Sequence, residues 1–308
     1  MKIAIIGVGA MGSVYAGFLA NAGNEVWALD VQLDHIEAIR KRGLRIEGIS
    51  GDRIVEIAAT TDANDVGPCD LVVIATKAMH VKAAAKSARP LLRENTTVLT
   101  IQNGIGSFEK VASLLGEEKI TIGVAGGFGA SIKGPGHVHH NGMELIRFGE
   151  MVGPVTTRLK KIAATWSDAG FNVKTYDDIQ RMVWEKLICN VCFSGVCTVS
   201  HSQIGVVLND THLWEIAKGC TQEAYQVARA KGIQVSFDDP IAYAHAFGEK
   251  MPDARPSMLL DHMAGKASEI DAINGAIVRE GATIEIPTPF NTVIASLVIA
   301  EENKMGWR

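Results

Sequence analysis

The sequence predicts an α/β protein in which a doubly wound sheet domain is followed by an all-helical domain. Its 308 residues suffice for about two domains of roughly 150 residues each. Strand-like and helix-length segments alternate up to about residue 176, which predicts βαβ units and a parallel sheet. Beyond that point only helix-period segments follow. We therefore predict a sheet domain over residues 1–176 and a helical domain over residues 177–308.

The composition is typical of a soluble enzyme. Hydrophobic residues make up 47% and charged residues 21%, so the chain can bury a core and is not disordered. The net charge of −4, with no basic domain, argues against a nucleic-acid binder. Five cysteines are an odd number in a chain of this size, which favours a reducing compartment over a disulfide framework.

We predict a cytoplasmic protein that does not bind a membrane. No uninterrupted apolar run reaches the roughly 18 residues that a membrane span requires. A signal peptide ending near Ala20-Asn21-Ala22 is the less favoured alternative, because four glycines interrupt the apolar start of the chain.

The predicted elements of the sheet domain begin with a strand over 2–6, a helix over 10–22, a strand over 25–30 and a helix over 35–42 that ends at Gly43. Further strands are predicted over 71–76, 97–102, 120–125 and 171–176, with helix-length segments over 78–92, 107–115 and 155–169. The segment 127–149 contains Gly134-Pro135-Gly136 and Asn141-Gly142, which predict an antiparallel hairpin.

The helical domain is predicted to contain helices over 178–199, 211–231, 239–250, 256–280 and 289–303. Pro256 suits the first position of the fourth helix, which Gly281 would close. For the last helix, Thr288 is the candidate cap and Pro289 follows it.

A glycine motif links the first strand to the first helix. Its residues are Gly7, Val8, Gly9, Ala10, Met11 and Gly12, and Asp30 ends the second strand 18 positions after the last glycine. In a Rossmann-type sheet this pattern gives a tight turn, a close backbone approach to a pyrophosphate and a helix N-terminus that faces the phosphates. We predict that it binds a dinucleotide; the alternative is a glycine-rich turn without a ligand.

Two polar residues follow neighbouring predicted strands. Lys77 comes after the strand 71–76, and Asn103, followed by Gly104, comes after the strand 97–102. Ligands of open α/β sheets bind at these carboxyl ends. Lys77 and Asn103 could therefore contact a ligand. The alternatives are that Lys77 is a solvated lysine and that Asn103 belongs to an Asn-Gly turn.

The first helix of the helical domain carries a polar stripe. Lys186, Asn190 and Ser194 recur every four residues on an otherwise apolar helix, so they share one face. Desolvation among apolar neighbours lowers the pKa of a lysine, which suits proton donation near neutral pH. The alternative is a lysine whose stem lies on the helix and whose ammonium reaches solvent.

We predict no metal site. Cys189, Cys192, Cys197 and His201 have metal-like intervals but lie in an apolar helical stretch, where buried cysteines are the better explanation. The residues His137-Val138-His139-His140 lack an accompanying carboxylate or third-ligand pattern.

The whole chain resembles the ketopantoate reductase family, the 2-dehydropantoate 2-reductases and related D-2-hydroxyacid dehydrogenases. The resemblance rests on the motifs at 7–12, Thr76-Lys77-Ala78, Gln102-Asn103-Gly104, Trp184-Glu185-Lys186-Leu187 with Asn190, Pro256-Ser257-Met258-Leu259 and Glu269-Ile270-Asp271-Ala272-Ile273-Asn274-Gly275. It implies a Rossmann-type domain, a helical domain and reduction of a 2-ketoacid.

The resemblance also implies roles for single residues. Lys186 is similar to the family's proton donor, and Glu269 to an active-site and cofactor contact that would hold Lys186 or a substrate hydroxyl in place. Lys77 is similar to a cofactor contact. Asn103, Asn190 and Ser257 resemble substrate-binding groups, with Asn103 also beside the nicotinamide. Where the family commonly has a second asparagine, this chain has the shorter Ser194.

The predicted function is NAD(P)H-dependent reduction of 2-dehydropantoate, or a similar branched 2-ketoacid, to (R)-pantoate or its counterpart. The alternatives are an NAD-dependent D-2-hydroxyacid dehydrogenase acting on another substrate, and an inert NAD(H)-binding sensor. The predicted partner is a small 2-ketoacid, and whether the protein forms a homodimer stays open.

The cofactor preference depends on Asp30. A carboxylate there accepts hydrogen bonds from the ribose 2′-OH of NAD and repels the 2′-phosphate of NADP, so we predict that NADH is preferred, against the family's commoner use of NADPH. The alternatives are that Asp30 caps the turn through Val31–Asp34, and that Arg40, Lys41 and Arg42 fold over the site and hold the phosphate.

Overall fold

A computed structural model describes residues 1–127, 129–142 and 144–308 of the chain. The chain divides into two compact units. The sheet unit contains Met1–Gln102 and Ser107–Ile179, and the helical unit contains Asn103–Gly106 and Gln180–Arg308. The sequence pattern did not predict that the short segment Asn103–Gly106 groups with the helices.

The sheet unit contains the strands β1 (Lys2–Ile6), β2 (Glu25–Leu29), β3 (Leu44–Gly48), β4 (Arg53–Val55), β5 (Ala58–Thr60), β6 (Leu71–Ile74), β7 (Thr97–Thr100), β8 (Ile120–Gly126), β9 (Gly129–Gly134), β10 (His137–Gly142), β11 (Leu145–Gly149) and β12 (Val173–Thr175). Its helices are α1 (Ala10–Asn21), α2 (Leu33–Arg42), α3 (Val81–Ser87), α4 (Ser107–Leu115) and α5 (Thr157–Asp168).

The main sheet has the order β12-β11-β8-β7-β6-β1-β2-β5 within the described residues. From β5 to β8 every neighbouring pair is parallel, and only β11 runs antiparallel to its neighbour β8. The strand order reverses beside β1, with β2 on one side and β6 on the other, as in doubly wound folds. The predicted fold class, a parallel α/β sheet followed by helices, is confirmed.

The short strands β3, β4 and β5 were not predicted. The second sheet has the order β4-β3-β10-β9. In it, β3 has five residues and β4 has three. Segments this short between glycines carry too little alternation to be recognised.

The hairpin predicted over 127–149 is present as β9 and β10, which pair antiparallel. The remainder of that prediction is wrong, because β11 leaves the hairpin and joins the main sheet. Phe128 and Met143, which the prediction included, lie outside the described residues.

The helical unit contains α6 (Ile179–Ser200), α7 (Ile204–Asn209), α8 (Thr211–Ala230), α9 (Pro240–Glu249), α10 (Ser257–Met263), α11 (Asn274–Thr283) and α12 (Pro289–Lys304). The apolar residues of α6, among them Leu187, Ile188 and Val191, lie in the core of this unit. Among the described residues, α6 is the one helix long and apolar enough to cross a membrane, but 72% of its apolar window is buried inside the structure.

The single helix predicted over 256–280 is wrong. The chain forms α10 and α11, and between them lies a non-helical stretch with one 3₁₀ turn, Ile270–Ala272. Gly265, with φ +66°, follows the end of α10, a conformation that favours glycine. The interruption contains Glu269, and it therefore determines where this candidate site residue lies.

The N-terminus of α12 is capped by a carboxylate from another helix. Thr288 occupies the predicted cap position, but its side chain makes no capping hydrogen bond. Instead Glu223 of α8 accepts hydrogen bonds from the backbone N–H groups of Phe290 (2.8 Å) and Asn291 (3.0 Å). A negative charge at this end also complements the helix dipole.

Candidate active site

The glycine motif forms the turn between β1 and α1. Gly7 has φ +94°, and a Cβ there would lie 2.6 Å from the backbone nitrogen of Thr76. A Cβ on Gly12 would lie 2.0 Å from the carbonyl oxygen of Gly7. Packing within the sheet unit therefore requires glycine at both positions.

Gly9 differs from its neighbours because packing does not require it. A Cβ at this position would meet no protein atom within 4 Å. Gly9 is the N-cap of α1, and it has no side chain to bond the N–H groups of the first helical turn. Open space before an uncapped helix N-terminus fits the pyrophosphate of a dinucleotide.

A relay of hydrogen bonds through His35 and Ser13 connects this loop to Gly136, which lies between β9 and β10. The backbone N–H of Gly136 donates to Nδ1 of His35 (3.1 Å), so the proton of the neutral imidazole lies on Nε2. Nε2 lies 3.2 Å from Oγ of Ser13, and that hydroxyl donates to the carbonyl of Val8 (2.8 Å). Nothing in the sequence pattern predicted this relay.

The relay predicts that stability falls at acidic pH. Burial lowers the pKa of His35, and Asp30 opposes this only in part. The unfolded chain therefore binds a proton at His35 first, as the pH falls below about 6.5. The contribution of neutral His35 to the free energy of unfolding should be fully present above that pH and be lost as the pH falls further. The measurement is Tm from pH 5 to 8.

Two variants, Ser13→Ala and His35→Gln, test the relay separately. Ser13→Ala should cost about 1–3 kcal/mol at neutral pH, because it leaves buried groups without their partner. His35→Gln should flatten the dependence of Tm on pH relative to the wild-type protein. An unchanged slope in His35→Gln would contradict the assignment.

Three predicted cofactor residues follow adjacent strands. The strands β2, β1 and β6 are parallel neighbours, and Asp30, Gly7 and Lys77 come after their carboxyl ends. They therefore lie along one edge of the sheet, where ligands of such sheets bind. Gln102, after β7, donates from Nε2 to the carbonyl oxygens of Ile74 (2.5 Å) and Thr76 (3.1 Å).

Asp30 is half-buried, and its Oδ1 accepts a hydrogen bond from the backbone N–H of Gln32 (3.0 Å). The capping contact considered from the sequence is therefore present. An ionised carboxylate offers about four acceptor positions, so this contact leaves room for ribose hydroxyls.

The basic cluster at the end of α2 makes contacts of its own. Arg40 donates from Nε to the carbonyl of Ala59 (2.6 Å), and Lys41 pairs with Glu37 (3.1 Å). Arg42 donates to the carbonyl of Pro135 (3.3 Å). Each of the three side chains thus has a partner within the sheet unit, and each keeps further N–H groups that could contact a 2′-phosphate.

The helical unit brings Lys186, Asn103 and Glu269 together. Nζ of Lys186 donates to Oδ1 of Asn103 (2.7 Å), and Nδ2 of Asn103 donates to Oε2 of Glu269 (3.2 Å). These partners fix the orientation of the amide, with its oxygen toward the ammonium and its nitrogen toward the carboxylate. Asn103 thus links the predicted proton donor to the predicted carboxylate.

The backbone beside Asn103 explains how it reaches this position. The N–H of Ile105 donates to the carbonyl of Ala272 (3.0 Å), directly after the 3₁₀ turn. Gly104 has φ +78°, and a Cβ there would lie 1.9 Å from the same carbonyl oxygen. Any other residue at 104 would push this segment away from the turn that follows Glu269.

The remaining predicted substrate residues also lie in the helical unit. Asn190 is half-buried and follows Lys186 by one turn of α6, and Ser194, one turn further, is only 4% exposed. Ser257 is exposed and begins α10, with Pro256 as the N-cap rather than the first helical residue. The binding roles of Asn190, Ser194 and Ser257 stay predictions.

The cysteines are free and buried. Burial raises the pKa of Cys69 to about 11 and that of Cys192 and Cys197 to about 12. Such thiols are poor nucleophiles and poor metal ligands at neutral pH. Within the part of the chain that the structure describes, no group of three or more His, Cys, Asp or Glu could hold a metal ion.

Two family models match the chain. Residues 3–153 match the model described as ketopantoate reductase PanE/ApbA, and residues 178–302 match its C-terminal model.

Similar proteins cover nearly the full length. A 2-dehydropantoate 2-reductase of Pyrococcus horikoshii is 33% identical over 99% of both chains. A PanE/ApbA family ketopantoate reductase of Ralstonia eutropha is 34% identical, with a TM-score of 0.91, and covers 99% of this chain and 100% of its own. The ternary structure of a D-mandelate dehydrogenase with NADH and anilino(oxo)acetate is 27% identical, with a TM-score of 0.93, and covers 100% of both chains.

Proposed function

Because the chain belongs to the ketopantoate reductase family, we propose that it reduces 2-dehydropantoate to (R)-pantoate with NAD(P)H. The observation that carries the proposal is the hydrogen-bonded set of Lys186, Asn103 and Glu269. Curated relatives named 2-dehydropantoate 2-reductase support the substrate.

The glycine motif, Asp30 and Lys77 would hold the dinucleotide, which would supply the hydride that reduces the ketone of the ketoacid. As negative charge develops on the carbonyl oxygen, the ammonium of Lys186 stabilises it and donates the proton that completes the hydroxyl. The overall balance is ketoacid, NAD(P)H and a proton converted to hydroxyacid and NAD(P)⁺.

Asn103 and Glu269 orient Lys186 in this scheme. The amide oxygen of Asn103 fixes the ammonium at 2.7 Å, so the lysine loses less rotational freedom when substrate binds. The carboxylate of Glu269 fixes the amide in turn. Asn190, Ser194 and Ser257 would bind the carboxylate and hydroxyl groups of the substrate.

We propose that NADH is the preferred cofactor. The carboxylate of Asp30 follows β2 on the same sheet edge as the glycine motif, where it would meet the adenosine ribose. We place the enzyme in the cytoplasm, where its five free cysteines stay reduced.

A second candidate is the NAD-dependent oxidation of another D-2-hydroxyacid. The similarity to D-mandelate dehydrogenase, with its TM-score of 0.93, favours it. The shorter Ser194, in place of the family's second asparagine, leaves one substrate hydroxyl without that amide. An inert NAD(H)-binding sensor is less favoured, because a sensor has no use for the Lys186 set.

A panel of 2-ketoacids tests these candidates. Consumption of NADH and NADPH is followed over a range of ketoacid concentrations, with 2-dehydropantoate, its unbranched analogues and an aromatic ketoacid. The highest kcat/KM with 2-dehydropantoate is the expected result. A higher value with the aromatic ketoacid favours the dehydrogenase, and no turnover with any ketoacid favours the sensor.

A further inference from the structure

Glu302 is a charged residue in the interior of the helical unit. It lies near the end of α12 and is fully buried. Burial alone would raise the pKa of its carboxyl, but hydrogen bonds from Ser268, Arg308 and His262 outweigh that effect and lower the pKa. A buried carboxylate with several donors is costly to disturb, so its position is well determined.

The donors to Glu302 come from α10, from the interruption between α10 and α11, and from Arg308 beyond α12. Oε1 accepts from the backbone N–H (2.7 Å) and the hydroxyl (2.6 Å) of Ser268, and from Nε2 of His262 (3.1 Å). Oε2 accepts from Nε of Arg308 (2.6 Å).

These contacts hold both sides of Glu269. Ser268 precedes Glu269 and is bound to Glu302 through two donors. Asp271 follows two residues later, and its Oδ2 accepts from Nη1 of Arg308 (2.8 Å). Because Arg308 also binds Glu302, its two ion pairs link the residue before Glu269, through Glu302, to the residue two positions after it.

The stretch around Glu269 has a sequence that favours a different local structure from the one it adopts. The sequence pattern through this stretch favours one continuous helix, which the chain does not form. Local order here is limited to one 3₁₀ turn, in which the N–H of Ala272 donates to the carbonyl of Glu269 (2.9 Å). The contact between Glu269 and Asn103 thus depends on tertiary contacts to the surrounding segment.

We propose that Glu302 and Arg308 are positioning residues that hold the carboxylate of Glu269 against Asn103 in the geometry that catalysis requires. They act through Ser268 and Asp271. The inference rests on the proposed function, in which Asn103 in turn orients Lys186.

The test uses Arg308→Ala, Arg308→Lys and Glu302→Gln in the full chain. Arg308→Ala is the main variant, because its side chain is partly exposed and its loss leaves the core filled. We expect its kcat/KM for the ketoacid to fall between about 10-fold and 100-fold, as a misplaced catalytic group would cause. The Kd for the dinucleotide, measured by fluorescence titration, should stay unchanged. Arg308→Lys should restore activity in part, since an ammonium can reach one carboxylate but lacks the fork that binds two.

The decisive measurement combines these changes with Glu269→Gln. If Arg308 acts through Glu269, then Arg308→Ala should lower kcat/KM in the wild-type background and cause no further loss in the Glu269→Gln background. Equal fold losses in the two backgrounds would show a merely structural role and overturn the proposal.

Lys231→Ala is the matched control, because it removes an ion pair of the same unit, with Glu280 of α11 (2.6 Å), in which neither Glu302 nor Arg308 takes part. It should leave kcat/KM unchanged. If the wild-type protein reduces the ketoacid and the Arg308 variants have the same kcat/KM, this inference alone is overturned. If the wild-type protein reduces no ketoacid, the proposed function is overturned and this inference with it.

Discussion

Replacing Lys186 with alanine should lower kcat by roughly 10²–10⁴-fold, the contribution typical of a positioned general acid. The alanine has no proton to give to the developing alkoxide. It also removes the donor that Asn103 Oδ1 has at 2.7 Å, which is one of the two contacts that orient the amide. Dinucleotide binding should persist, because the glycine motif and Asp30 lie in the sheet unit. Stopped-flow turnover and a separate fluorescence titration of NADH measure the two effects.

Lys186→Arg separates charge from proton donation. Its guanidinium keeps the positive charge but does not deprotonate in proteins, so KM should be partly preserved while kcat remains low. Lys218→Ala is the control, because it removes an exposed pair with Glu215 that contributes at most about 1 kcal/mol. Near-normal turnover of Lys186→Ala would remove this lysine from the mechanism.

The second large effect is expected at Asp30. A carboxylate that faces a 2′-phosphate at 4 Å costs about 1 kcal/mol per unit-charge pair in water and about 4 kcal/mol at an effective dielectric near 20. At about 1.4 kcal/mol per factor of ten, NADPH should be disfavoured by roughly 5-fold to 700-fold. The measurement is kcat/KM with each cofactor at saturating ketoacid.

Asp30→Asn is the sharpest variant for this question. Asparagine removes the charge but keeps an oxygen that can accept from the N–H of Gln32, so the turn after β2 should stay intact. We expect the NADH advantage to narrow, mainly through a gain with NADPH, and Asp30→Ala should narrow it too. Asp34→Asn, an exposed change on α2, is the matched control. A wild-type preference for NADPH, or a ratio that Asp30→Asn leaves unchanged, contradicts the role at the ribose.

Much of the sheet unit could be predicted because its signals are local. The strand β1, the glycine motif and α1 follow one another within about twenty residues, and each reports its structure through periodicity or glycine geometry. The strands β3 to β5 were missed because they are short, and because β3 and β5 also pair with strands distant in sequence, β10 and β2.

The candidate site could be predicted only in part. The spacing on α6 showed that Lys186 and Asn190 share a face, which is a property of the helix alone. The link between Asn103 and Glu269 joins residues 166 positions apart, so no local pattern showed it. The place of Asn103 after a strand indicated a ligand site, whereas the role of Glu269 was suggested by resemblance to a family. The break before Glu269 was missed because a contact from Glu302, 34 residues beyond Ser268, helps to determine it.

The close packing of Gly104 on Ala272 limits how the protein can be recombined. The residues Asn103–Gly106 are encoded in the middle of the sheet unit, yet they pack as part of the helical unit. A chimera that exchanges residues 1–179 as one cassette would therefore import a foreign Asn103 segment beside the native Lys186 and Glu269. The residues that would select the cofactor and those that would donate the proton therefore alternate along the sequence. A working chimera must take Asn103–Gly106 from the same parent protein as the helical unit.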